Sequence, residues 1–92
     1  MVWISNPYPN PVTNGFVKVD LTSACTKNVK WAVYSAAYRK IGEWNKTVGD
    51  RKATVMWDLR DAEGKLTAPG IYYMVFTPEG QKSKTLPVVV LR

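Results

Sequence analysis

The chain has 92 residues, of which 46% are hydrophobic and 12% aromatic, and its formal net charge is +6. This length fits one domain and is too short for two independent cores, while the hydrophobic share excludes the disordered and collagen-like classes. The chain contains no histidine, which excludes Ser-His-Asp and Cys-His catalysis and any His-ligated zinc site. We therefore expect a folded, non-enzymatic domain without a cofactor.

Export and redox signals are sparse. The lone Cys25 has no internal disulfide partner, so packing alone must hold the core. No apolar run reaches the ~18 to 20 residues that cross a bilayer, and residues 1–7, MVWISNP, have neither the basic nor the apolar region of a signal peptide. We expect no membrane span, and we interpret the chain as a module of a larger exported protein.

The basic residues are scattered in pairs, and no nucleic-acid-binding motif is present, so we expect no nucleic-acid partner.

The chain begins with a short apolar stretch and then a Pro-rich segment, NPYPNPVTNG, at residues 6–15. Pro7, Pro9 and Pro11 fix φ and lack a donor N–H, so they stop sheet growth. Two interpretations are open: a stiff joint that aims the first strand away from a preceding domain, or an ordinary loop between the first two strands. We divide the single domain, residues 1–92, into a strand with the Pro-rich segment (1–14) and a sandwich body (15–92).

Period-two alternation of apolar and polar residues predicts most of the remaining strands. Glycine-containing turns at 60–65 and 78–82 separate some of them, and the segment 35–40 admits at most a one-turn helix. This spacing predicts an all-β, immunoglobulin/fibronectin-III-like β-sandwich of about seven antiparallel strands. The predicted strands after the Pro-rich segment cover residues 15–22, 28–35, 39–47, 51–58, 70–78 and 82–92.

Aromatic residues refine this prediction. Tyr72 has the spacing of a tyrosine corner. Trp31 lies at the position of the tryptophan that packs between the two sheets in such sandwiches. Trp57 also lies in an alternating apolar context, which indicates a core position. Trp3 and Trp44 lie in less regular contexts, so they are open to two interpretations: core packing, or an exposed ring that stacks on a sugar.

The carboxylates of Asp58, Asp61 and Glu63, in WDLRDAEGK, are the candidate metal ligands. Carboxylate oxygens around a glycine can ligate calcium, but the spacing departs from a calcium-binding loop and Arg60 lies within it. We favour a structural role, in which Asp58 and Asp61 accept hydrogen bonds from backbone N–H groups of the hairpin. We therefore predict no metal site.

Four segments together resemble a known family: NPYPNPVTNG, WAVYSAAYRKIGEW, VMWDLRDAEGKLTAPGIYYMVF and KTLPVVVLR. They are similar to the immunoglobulin-like domain first described in the flagellar hook-capping protein, and to the C-terminal sorting domains of the type IX secretion system. The likeness spans nearly the whole chain. Where the family usually has glycine, this chain has Leu59 and, in the turn AAYRKI, Tyr38.

The resemblance implies a C-terminal sorting or surface-attachment module of an exported bacterial protein, located outside the cell or at its surface. We expect a protein partner, either secretion machinery, a neighbouring domain or a second copy, to recognise the final strand by strand addition. Two alternatives are open: an assembly domain that associates through Ile71, Tyr73 and Val75, and a polysaccharide-binding module that uses Trp3 and Trp44. The predicted partner-binding residues are Lys82, Lys84, Val88, Val89, Val90, Leu91 and Arg92.

Overall fold

A computed structural model describes residues 1–49 and 51–92. Over these ranges the chain forms seven β-strands and no helix, and hence no helix suited to span a membrane. The three-stranded sheet has the order β1-β2-β5, the four-stranded sheet has the order β4-β3-β6-β7, and all neighbours are antiparallel. The predicted β-sandwich is confirmed. The strands are β1 (Val2–Ile4), β2 (Val17–Ser23), β3 (Lys27–Ser35), β4 (Lys40–Val48), β5 (Arg51–Trp57), β6 (Gly70–Pro78) and β7 (Lys84–Val90).

The core lies between the two sheets and consists mainly of alternate strand residues, joined by Val12 and Leu59 from loops. Met74 and Phe76 on β6 are fully buried, as is Leu21 on β2. Trp31 and Trp57 are 5% and 1% exposed, which confirms both as core residues. Because β6 lies between β3 and β7, its apolar residues on both faces suit a central strand.

The predicted tyrosine corner is present at the start of β6. The Tyr72 hydroxyl donates a hydrogen bond to the carbonyl oxygen of Ala68 over 2.6 Å, and its ring packs against Trp57 with a centroid separation of 5.3 Å. This hydrogen bond links the loop that precedes β6 to β6 itself.

The segment 35–40 forms a tight turn rather than a helix. Ser35 N donates to Arg39 O over 2.9 Å, and Tyr38 has a φ of 61°. Leu59 has a φ of 62°. Both residues therefore adopt the left-handed conformation that favours glycine, at the two positions where the resembled family usually has glycine.

The Pro-rich segment connects β1 to β2, as the loop interpretation predicts. It also crosses from one sheet to the other, which the sequence did not predict. It first continues along β2, where Tyr8 and Lys18 exchange backbone hydrogen bonds of 2.9 and 2.8 Å. It then reaches β7, where the fully buried Val12 forms a parallel bridge with Val90. The segment therefore packs as part of the sandwich.

Candidate functional site

The outer edge of β7 is covered by the Pro-rich segment. Val12 N donates to Val89 O, and Leu91 N donates to Val12 O, both over 2.9 Å. The Asn10 side chain accepts from Val89 N over 2.9 Å and donates to Pro87 O over 3.1 Å. Because these bonds occupy the outward backbone groups between 87 and 91, strand addition at this part of the edge would have to displace the segment.

The predicted partner-binding residues of the final strand divide into buried and exposed ones. Val88 and Val90 are 0% exposed, and their backbone groups face β6 because the groups of 87, 89 and 91 face outward. They therefore present neither side chain nor backbone to a partner, which corrects their assignment. The partner role of the other five residues stays a prediction. Lys82, Lys84, Leu91 and Arg92 are exposed, and Val89 is half-buried.

The β1 edge, which lies on the same side of the sandwich, is also covered. The Gln81 side chain accepts from Val2 N and donates to Val2 O, and Lys84 Nζ donates to Ile4 O over 3.2 Å. On the opposite side, β4 and β5 each pair with one strand only. Over the described ranges, the strands with outer backbone edges left open are therefore β4 and β5.

The outer face of the four-stranded sheet carries an apolar surface that we call the tyrosine face. Ile71 is 47% exposed, and Tyr38, at 77% exposed, stacks on Tyr73 with ring centroids 5.9 Å apart and planes at 9°. Lys40 Nζ lies 5.9 Å from the centroid of the Tyr34 ring. The face is made of Tyr34, Tyr38, Ile71, Tyr73, Val75 and Val89.

The outer face of the three-stranded sheet is polar by comparison. Asp20 Oδ1 accepts hydrogen bonds from Thr54 Oγ1 over 2.7 Å and from the Tyr8 hydroxyl over 3.0 Å. The Thr54 hydrogen bond is the main cause that lowers the pKa of Asp20, and the bond to Asp20 raises the pKa of Tyr8. A protein partner would have to desolvate these groups to bind here.

The acidic hairpin after β5 has the structural role that we favoured. Asp58 Oδ1 accepts from Arg60 N over 3.1 Å, and Asp61 Oδ1 accepts from Glu63 N and Lys65 N over 2.9 and 3.0 Å. Within residues 1–49 and 51–92, no group of three or more Asp, Glu, Cys or His residues is placed to hold a metal ion. Asp58 and Asp61 cap turns through these hydrogen bonds, and Glu63 takes part through its backbone N–H.

Trp3 and Trp44, for which the sequence left open core packing or sugar stacking, occupy different environments. Trp3 is 56% exposed on β1. Trp44 is half-buried on β4 and stacks on Trp31 with ring centroids 4.4 Å apart. It lines an open cleft together with Phe16 and Met56, which the sequence did not predict because the three residues come from separate parts of the chain.

No protein-family model matches the chain, and the search of curated proteins gives no significant match. Solved structures match over 99% of it. Dimeric latent PorU from Porphyromonas gingivalis is similar with a TM-score of 0.71 and 18% identity. PorZ, described as an essential bacterial surface component of the type IX secretion system of the same organism, is similar with a TM-score of 0.60 and 23% identity. A β-glucosidase from Erythrobacter marinus is similar with a TM-score of 0.56 and 16% identity.

These likenesses show the fold, since all three identities are below 25%. The chain spans 10% of the PorU chain, 11% of the PorZ chain and 15% of the β-glucosidase chain. In each of these proteins the similar part is thus a small fraction of the whole. The fold is an immunoglobulin-like β-sandwich that occurs within much larger proteins.

Proposed function

We propose that the chain is a non-catalytic β-sandwich module of an exported bacterial protein, which acts in type IX secretion sorting or in attachment at the cell surface. The observation that carries the proposal is the shared fold over 99% of the chain with parts of PorU and PorZ. The same fold in a β-glucosidase is consistent with a module appended to proteins of different activity.

The tyrosine face supports the proposal because it offers a protein-binding surface. Exposed tyrosines supply large contact areas at a low cost in side-chain entropy, and they are enriched at protein interfaces. The exposed residues Lys82, Lys84, Leu91 and Arg92 would add contacts at the end of the chain. The outer face of the three-stranded sheet, with its Asp20 hydrogen-bond network, would bind a protein partner less favourably.

The experiment fuses the full chain to the C terminus of a reporter that carries its own periplasmic export signal, in a bacterium with a type IX system. We expect the fusion outside the cell or at its surface, and the reporter alone in the periplasm. Deletion of residues 84–92 would be a poor test, because it removes the buried Leu86, Val88 and Val90 and would unfold the domain. Surface substitutions avoid this problem.

Ile71→Asp is a suitable surface substitution, since Ile71 is 47% exposed on the tyrosine face. Thr22→Asp is its matched control, because Thr22 is exposed on the outer face of the other sheet. We expect the first variant to reduce export and the second to leave it unchanged. Equal export of both variants would exclude the tyrosine face as the recognised surface, and periplasmic retention of the unmodified fusion would contradict the sorting role.

A second candidate function is assembly through the same face. An exposed apolar surface of this kind promotes association when no other partner covers it. Sedimentation of the isolated chain over a wide range of concentrations would detect a dimer or larger assembly that Ile71→Asp abolishes. A monomer at every concentration would exclude this candidate and leave the tyrosine face for a different partner.

A further inference from the structure

A cleft opens on the side of the sandwich where the free edges of β4 and β5 face each other. Its volume is about 290 Å³, which suits a single sugar ring or a side chain of similar size. Trp44 lies on the β4 side, and Met56 and Phe16 lie on the side of the three-stranded sheet. Phe16 and Met56 are 48% and 51% exposed. These two large apolar side chains therefore line the cleft and are not part of the core.

The rim of the cleft is polar and combines both charges. Asp58, Arg60 and Asp61, from the loop after β5, line it. Each aspartate uses Oδ1 to bind backbone N–H groups, and Oδ2 of each has no hydrogen-bond partner in the part of the chain that the structure describes. Arg60 Nη1 donates to Gly64 O over 2.7 Å, which leaves further guanidinium N–H groups available.

Aromatic walls with a few convergent polar groups are the usual composition of a small-molecule site. Here the polar groups both accept and donate, since two aspartates and one arginine line the cleft. A sugar ring matches this arrangement because its C–H face packs on an aromatic ring while its hydroxyls donate to carboxylates and accept from arginine. A cationic side chain matches it less well, because it carries N–H donors only and cannot accept a hydrogen bond from Arg60.

We infer that this cleft binds one ring of a neutral glycan, with the ring packed against Trp44 and Phe16 and its hydroxyls bonded to Asp58, Arg60 and Asp61. The site is separate from the tyrosine face and does not depend on type IX sorting. A module that attaches a protein at a cell surface would gain from such a site a direct contact with surface polysaccharide. Trp3 lies outside the cleft, so it has no part in this inference.

The test titrates the full chain with soluble oligosaccharides of glucose, mannose, galactose and N-acetylglucosamine, followed by tryptophan fluorescence and calorimetry. Trp31, Trp44 and Trp57 line the cleft, so binding should change the fluorescence directly. For a ligand that fills one ring-sized site, we expect a Kd on the order of 1 mM for at least one series. The absence of any heat or fluorescence change up to about 10 mM would overturn the inference.

Three variants localise the binding. Phe16→Ala removes an exposed wall, and Asp58→Asn keeps the acceptor for Arg60 N while it removes the charge; we expect each to weaken binding, by about tenfold for Asp58→Asn. Trp3→Ala is the matched control, because it removes an exposed aromatic ring outside the cleft, and it should leave the Kd unchanged. Binding that is lost with Trp3→Ala but retained in the other two variants would overturn the inference, as would binding of a lysine-rich peptide but of no sugar.

Discussion

The indole ring of Trp44 lies over the backbone of Gly42, so closely that a Cβ atom at position 42 would stand 2.5 Å from ring carbon Cη2. Trp44 also stacks on Trp31, and Trp31 stacks in turn on Phe76 with ring centroids 5.9 Å apart. The missing side chain at Gly42 therefore allows an aromatic row to run from the open β4 edge into the core.

Substitution of Gly42 tests this row. Gly42→Ala should displace the Trp44 ring and lower the free energy of unfolding by about 1 to 3 kcal/mol, as overpacking does. Urea denaturation followed by tryptophan fluorescence would measure the change. Gly49→Ala is the matched control, since a Cβ there meets nothing closer than 4.0 Å, and it should change the stability by less than about 0.5 kcal/mol. Equal effects of the two variants would show that Gly42 has no special role.

The Asn10 side chain closes the β7 edge, and its removal should expose that edge. Asn10→Ala removes the acceptor of Val89 N and the donor to Pro87 O, so we expect faster amide exchange at Val89 and a loss of about 1 kcal/mol. Hydrogen exchange measured by NMR resolves this amide. Asn14→Ala is the control, because Asn14 is exposed and its side chain forms no hydrogen bond within the described residues. Unchanged exchange at Val89 would mean that the edge is held by the backbone bonds of Val12 alone.

The positive φ of Tyr38 should distinguish two small replacements. Both Tyr38→Ala and Tyr38→Gly remove the stack on Tyr73, but only alanine retains the steric cost of the left-handed conformation. That cost is about 1 to 2 kcal/mol, and the greater unfolded-state entropy of glycine offsets about 0.4 to 1 kcal/mol of it. We therefore expect the Gly variant to be more stable than the Ala variant by about 0.5 to 1 kcal/mol in thermal unfolding.

Ala37 provides the matched control for this pair, because its φ is not positive. Ala37→Gly should lower the stability, since glycine there brings only its entropic cost. An Ala variant at position 38 that is as stable as the Gly variant would contradict the assigned turn conformation.

Asp20 should make the stability depend on acid pH. Because hydrogen bonds from Thr54 and Tyr8 lower its pKa in the folded chain, Asp20 contributes stability that is present above its unfolded pKa of about 4 and is lost as the pH falls through the folded value. The melting temperature of Asp20→Asn should therefore fall less steeply below about pH 4 than that of the parent chain. Parallel curves for the two proteins would contradict this assignment.

The sequence predicted the local elements well because each has a local signal. The apolar run GIYYMVFTP predicted β6 with the bounds that the structure shows, and the Tyr72 spacing predicted its corner. The resemblance also identified Tyr38 and Leu59 as replacements of family glycines, and both have positive φ. Such features depend on residues that are near each other in the chain, so composition and period are sufficient to find them.

The contacts that close the β7 edge had no such signal. Asn10 and Val89 are 79 positions apart, and a Pro-rich loop gives no indication of which strand it will cross. For the same reason the cleft was not predicted, since Phe16, Trp44 and Met56 meet only where β4 of one sheet lies beside β5 of the other. Alternation assigns a residue to a face, but it does not say which strand lies opposite.

The most direct test of the proposed function is the location of the reporter fusion in a type IX-competent strain and in a strain that lacks the system. We expect the fusion at the cell surface or in the medium of the first strain, and in the periplasm of the second. The same location in both strains would contradict the sorting role, and it would leave the chain as a surface or assembly module that reaches its place by another route.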